Sequence, residues 1–159
     1  MSVRPARQED IPALVPVVSD YERTSVSLLS ENYRPLRRIR EPFEENLSRA
    51  LEACIASPES QLFVYEEEGA VVGYAIGKIR EDNDILYDPP RTGEFSELAV
   101  LQSHRGKGRA SALWNTLLGW FREQGCEFVT LSVNANNTAR EIYGKWGFET
   151  FYVRMIKKL

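Results

Sequence analysis

Between residues 94 and 121 the chain changes character twice, in an order that few architectures accommodate. Glu94 to Leu101 ends in the apolar run Leu98-Ala99-Val100-Leu101 and reads as a short strand. A turn follows in which Gly106 and Gly108 stand among Arg105, Lys107 and Arg109. Then Ala110, Leu113, Trp114, Leu117, Leu118 and Phe121 recur at helical spacing. Together they make a wide apolar stripe on about four turns, closed by Gly125. A helix with so wide a stripe needs a sheet or a second helix to cover it.

The rest of the chain supplies that sheet. Ser2 to Arg4 predicts a short first strand. A helix follows, with Asp10 as N-cap, Pro12 in its first turn, and Ile11, Leu14, Val18 and Tyr21 on one stripe. Pro16 is placed to kink or split it. Periodicity is lost from Arg23 to Pro42, a partly helical surface excursion carrying Arg34, Arg37, Arg38 and Arg40. A second helix spans Glu44 to Ala56, and Ser57-Pro58 ends it. Leu62 to Glu67 and Ala70 to Arg80 form an antiparallel hairpin about Glu68-Gly69. After the long helix, Glu127 to Val133 alternates as a strand. A short helix carries Ala139, Ile142, Tyr143 and Trp146, with Asn136, Asn137 or Thr138 as its cap, and Gly147 ends it. Phe148 to Lys157 predicts a last strand. The order β-α-α-β-β-β-α-β-α-β is that of an α/β (α+β) protein: a mixed, mostly antiparallel central sheet flanked by helices.

Composition narrows the function. At 159 residues the chain is expected to form a single domain, residues 1–159. Twenty Lys and Arg against 23 Asp and Glu give a net charge of −3, which argues against nucleic acid as a partner. One His, and Cys54 and Cys126 far apart, leave no metal site to expect. No apolar run approaches the ~20 residues of a membrane span, and Met1 to Asp10 lacks a signal-peptide core. The expectation is a cytoplasmic protein that neither spans nor binds a membrane.

The chemistry concentrates in the glycine turn. Glycines admit close backbone approach, and a helix N-terminus offers unpaired N–H groups with the positive dipole end, so the turn suits a phosphate or pyrophosphate. Arg105, Lys107 and Arg109 add charge nearby. A Walker loop requires a Lys-Ser/Thr pair that Gly106 to Ser111 lacks. A dinucleotide fingerprint requires a third glycine where Ser111 stands.

The wider pattern resembles the acetyl-CoA loop of the GNAT N-acetyltransferase superfamily, whose form is Q/R-x-x-G-x-G/A. Arg105, Gly108 and Ala110 match its fixed positions. About thirty residues on, Asn136, Ala139, Ile142, Tyr143, Lys145, Gly147 and Phe148 resemble the family's second motif. The resemblance implies that acetyl-CoA is the cosubstrate and that no metal takes part. It places the pyrophosphate on the amides of Leu101 to Ser111, so Arg105, Gly106, Lys107, Gly108, Arg109, Ala110 and Ser111 become binding residues. It lays the pantetheine arm along Leu98, Ala99 and Val100, where the fourth and fifth strands splay. Tyr143 matches the tyrosine that protonates the departing thiolate, and a phenol with a pKa near 10 keeps its proton for that task. Asn136 and Ala139 fall at cofactor-contacting positions of the second motif.

The general base is left to two carboxylates. Strand alternation puts Glu94 and Glu97 on opposite faces unless a bulge intervenes, and Glu97, beside Leu98, is preferred. The implied acceptor is an amine, met by the excursion at Arg23 to Pro42 and by the loop at Glu81 to Arg91. That loop gathers Glu81, Asp82, Asp84 and Asp88 about Tyr87. A homodimer is common among such relatives. A non-catalytic acyl-CoA-binding domain of the same fold is the alternative, and Tyr143 and Glu97 weigh against it.

Overall fold

Alternation along the strands and helical spacing along the helices sort the apolar residues onto two sides of one sheet. The computed structural model describes residues 2–80 and 85–159. Five strands lie in the order of the chain: β1 (Ser2–Pro5), β2 (Ser60–Glu67), β3 (Ala70–Arg80), β4 (Thr92–Val100) and β5 (Phe128–Leu131). Neighbours are antiparallel except β4 and β5, which run parallel because α3 (Arg109–Glu123) crosses between them. The β2–β3 hairpin turns at Glu68-Gly69, whose φ values of 53° and 79° are those of a tight two-residue turn.

One face carries α1 (Ile11–Ser27) and α2 (Phe43–Ala56). Leu14, Val17, Val18 and Leu51 pack there on Leu62, Val64, Tyr74 and Ile76. The other face carries α3, whose Leu113, Trp114, Leu117, Trp120 and Phe121 cover Phe63, Ala75, Phe95 and Val100. Burying such side chains is worth about 1.5–3 kcal/mol each, so the helix is held by its stripe. Close approach is made possible by glycine. A Cβ on Gly93 would lie 2.4 Å from the Phe121 ring, and one on Gly77 would lie 2.7 Å from Leu117. A last helix, α4 (Ala139–Lys145), follows β5.

Several expectations are corrected. Asp10 does not cap α1 with its side chain. Its carboxylate instead takes the Arg4 guanidinium at 2.7 and 2.8 Å and the Arg7 N–H at 2.7 Å, closing a short 3-10 turn that leads into the helix. The hydrogen bonds from Arg4, with that from the Arg7 N–H, hold Asp10 below the usual carboxylate range against its burial. Pro16 neither splits nor ends α1, which runs on to Ser27. The fifth strand stops at Leu131, short of Val133. Phe148 to Lys157 forms no strand: residues 149–159 are irregular and exposed and pair with no strand of the sheet. The excursion is partly helical, as expected: residues 23–27 complete α1, a 3-10 turn spans Arg34–Arg37, and residues 34–42 are exposed. Among the described residues no helix is long and apolar enough to cross a membrane.

Candidate functional site

The glycine turn has the backbone of an anion cradle. After β4 a 3-10 turn at Gln102–His104 reverses the chain. Gly106 and Gly108 then both take φ of +77°, and Gly108 caps α3. Left-handed residues alternating with ordinary ones turn successive N–H groups toward one side, and the first turn of α3 adds its own unpaired amides. No atom of the described chain lies within 4 Å of where a Cβ on either glycine would stand. Lys107 and Ser111 are exposed. Arg105 is exposed too, and its Nε donates to Val100 O at 2.8 Å, bracing the turn against the strand end.

Arg109 does not present its side chain to this cradle. It is buried at 4% exposure, its guanidinium forked onto both oxygens of Glu67 and bonded to His104 O at 2.9 Å, 5.8 Å from the centre of the Tyr65 ring. The pair keeps Glu67 below the usual carboxylate range. The sequence expectation of a loose phosphate-binding charge is thus replaced by a clamp that ties the turn to β2.

Beside the cradle the sheet opens. β4 pairs with β5 only from Thr92 to Phe95, so among the described residues the Leu98-Ala99-Val100 segment has no strand partner on that side. Leu101 N–H donates to Val72 O at 2.9 Å, and by alternation the amides of Leu98 and Val100 turn toward the open edge. Leu98 and Val100 pack toward α3, and Ala99 toward α1.

The two proton-transfer candidates flank that opening. β4 is bulged: Ile76 faces Glu97, Gly77 faces Phe95, and Ser96 is left over. The extra residue puts Glu94 and Glu97 on the same face. Arg80 takes Glu94 in an ion pair. Glu97 receives a 2.9 Å hydrogen bond from the Tyr74 hydroxyl at its Oε2. Burial pushes its carboxyl above the ordinary range, and Tyr74 opposes that. Tyr143, from α4, is half-buried on the α3 side, edge-on to Phe95 at 5.8 Å. Burial raises its phenol as well. Tyr21 of α1 feels both: burial first, then the Glu97 charge and Tyr143, push it up to about 12.

The remaining expectations divide. Asn137, not Asn136, caps α4, its Oδ1 taking the Ala139 N–H at 2.9 Å. Thr138 stands at the cap position without a side-chain bond. Asn136 is exposed, and its backbone N–H goes to Asn134 Oδ1 at 2.9 Å. In the acidic loop, Glu81, Asp82 and Asp84 lie outside the described residues, and Tyr87 and Asp88 are exposed. Among the described residues no three His, Cys, Asp or Glu gather as a metal site requires.

The model of the acetyltransferase (GNAT) family matches residues 26–148, from the end of α1 to Phe148. The chain belongs to the GNAT family. It is 31% identical over 87 residues to the N-alpha-acetyltransferase MAK3 of Arabidopsis thaliana, a match covering 54% of this chain and 43% of that relative. The fold is that of a mutant BH1408 protein from Bacillus halodurans, at a TM-score of 0.85 and 19% identity, with 100% of both chains covered. The aminoglycoside N-acetyltransferase AAC(6')-Iy, solved in complex with CoA, follows it at 0.73 and 17% identity over 99% of each chain.

Within this GNAT chain, reading the sequence missed Tyr74 and Tyr21. Both lie on hydrophobic stripes and pass for core. The available signal was a phenol on a strand or helix next to the preferred base, which only the sheet register brings together. Glu22 was missed for the same reason. It pairs with Arg37 of the excursion at 3.1 Å, and both reach the Glu97 carboxylate electrostatically.

Proposed function

We propose that this chain is an acetyl-CoA-dependent N-acetyltransferase acting on a primary amine by direct transfer within a ternary complex. The observation that carries the reading is the open β4 edge. It runs from a glycine cradle with open space before it to a gap flanked by a carboxylate on one face and a phenol on the other. The donor set suits the cosubstrate: outward amides and exposed Lys107 for the pyrophosphate, strand amides for the amide-bearing pantetheine arm.

When bound, acetyl-CoA supplies the thioester whose acyl carbon is passed to the amine. The chain's own groups do the rest. Leu98 or Val100 N–H donates to the acyl oxygen and stabilises the charge that builds there. Glu97 takes the proton released by the attacking amine, directly or through one water. Tyr143 Oη gives its proton to the sulfur as the carbon–sulfur bond breaks. Orientation of the two substrates across the splayed edge supplies the rest of the rate. Arg105, Gly106, Lys107, Gly108, Ala110 and Ser111, with the Arg109 amide, hold the pyrophosphate end, and Asn136, in the turn before α4, and Ala139, at its start, border it.

A panel of small amines, amino acids and peptide N-termini, assayed by release of the CoA thiol, tests this. Acetyl-CoA-dependent thiol release with at least one amine is expected. Tight acetyl-CoA binding with no release across the panel would favour a binding domain without chemistry.

A further inference from the structure

Glu97 is held in an unusual way for a group that has to collect protons. Its Oε2 is fixed at 2.9 Å by the hydroxyl of Tyr74, a side chain with 0% exposure in the middle of β3. No hydrogen bond reaches Oε1 among the described residues. Yet Oε1 is not sealed in, since Ser19 Oγ is the one buried, unpartnered side-chain polar atom among them. The two oxygens of one carboxylate thus have different environments: one is anchored inside the α1-side core, and the other accepts no hydrogen bond from the described residues and is not fully enclosed.

We propose that Tyr74 is a positioning residue, whose buried phenol anchors Glu97 Oε2 and so presents Oε1 to the acceptor amine. The inference rests on Glu97 being the base. A glutamate on a strand has three side-chain torsions to fix, and a strong donor on the neighbouring strand that holds one carboxylate oxygen restricts them together. Tyr74 is itself closely packed: Tyr21 meets it edge-on at 6.3 Å, and Leu14, Leu51 and Ile76 share its cluster. Its phenol cannot serve as a proton donor in the reaction, because burial and the adjacent carboxylate raise its pKa far above the ordinary value. It therefore acts by donating a hydrogen bond that persists throughout turnover.

The other groups facing Glu97 are Tyr21 and Glu22 from α1, Cys54 from α2, Lys78 from β3 and Arg37 from the excursion. Glu22 favours the protonated carboxyl, whereas Lys78 and Arg37 favour the carboxylate. None of these groups hydrogen-bonds to it; among the described residues only Tyr74 does.

The test is Tyr74→Phe, which keeps the ring and removes the donor. Two readouts are taken: the acidic limb of the kcat–pH profile, and the titration of the Glu97 side-chain carbon by NMR with labelled glutamate. Both should move up by about one pH unit, since losing a hydrogen bond to the charged form favours the neutral one. The KM for acetyl-CoA should stay put. Tyr21→Phe serves as the control, because it removes a neighbouring phenol that does not bond Glu97, and it should leave both readouts unmoved. A Tyr74→Phe protein with wild-type limb and wild-type Glu97 titration overturns the proposal. So does an equal shift in Tyr21→Phe. If Glu97→Gln keeps the wild-type acidic limb, the base assignment itself falls and takes this inference with it, an outcome distinct from the first because the NMR shift would still be seen.

Discussion

Gly108 allows the pyrophosphate assignment to be separated from the stability of the fold, because a side chain there should affect the two in opposite orders. The residue has φ of +77° and ψ of 0°, and a Cβ would meet no atom within 4 Å. Alanine therefore costs only the left-handed strain, about 1–2 kcal/mol. For a chain of this size that is a fall of roughly 2–8 °C in Tm. Glutamate pays the same strain, but its carboxylate sits at the N-terminal end of α3, where a negative charge returns roughly 0.3–1 kcal/mol. Gly108→Glu should thus be as stable as Gly108→Ala or slightly more so. Binding should run the other way. The alanine variant crowds the amides and weakens acetyl-CoA, and the glutamate variant adds repulsion of the pyrophosphate and abolishes measurable binding. Thermal melts of the unliganded proteins and calorimetry with acetyl-CoA give both orders. A folded Gly108→Glu protein that binds acetyl-CoA as well as Gly108→Ala would refute the cradle.

Three further outcomes are expected. Tyr143→Phe should lower kcat by on the order of 10² with the calorimetric affinity for acetyl-CoA unchanged, and undiminished turnover would return Tyr143 to the aromatic cluster around Phe95. The kcat–pH profile should rise through a limb above the ordinary glutamate value of 4.5, since Glu97 must be ionised and burial raises it. At the alkaline end it should fall only above 10, since Tyr143 must hold its proton and burial raises that as well. A rising limb at or below 4.5 that survives Glu97→Gln speaks for another base. Gly93→Ala drives a methyl to 2.4 and 2.5 Å from two Phe121 ring atoms and should cost about 1–3 kcal/mol. Phe121→Leu should recover part of that loss in the double variant, and strictly additive melting temperatures would show that the clash is relieved elsewhere.

What was legible in the sequence was whatever depends on spacing within one segment. The α3 stripe, the Glu68-Gly69 hairpin and the two glycines before the helix are each written in fewer than about fifteen consecutive residues, and each is present. Partners were not legible. Residues 149–157 carry the β-rich residues Phe151, Tyr152 and Val153, but a strand exists only where it pairs with another, and these residues pair with none although β5 ends the sheet with a free edge. Arg109 carries the same charge as Lys107 two positions away. Only the folded chain shows that Glu67, 42 residues earlier, claims one of them and leaves the other in solvent. Tyr74 reads as core because it is core, and its hydroxyl gains a role only through the register that brings Glu97 beside it.

That register depends on a single unmatched residue. Before Ser96, β4 is read against β3 in one frame, and after it in another. The strand is in effect a text with an insertion, and the message on its far side makes sense only because of the shift. The shift brings Glu97 to Tyr74 and aims the Leu98 and Val100 amides at the open edge. What position 96 contributes is its presence rather than its chemistry. Replacing the serine should be tolerated, whereas deleting it would force one half of the strand to turn over, separating Glu97 from Tyr74 or turning the Leu98 and Val100 amides away from the open edge.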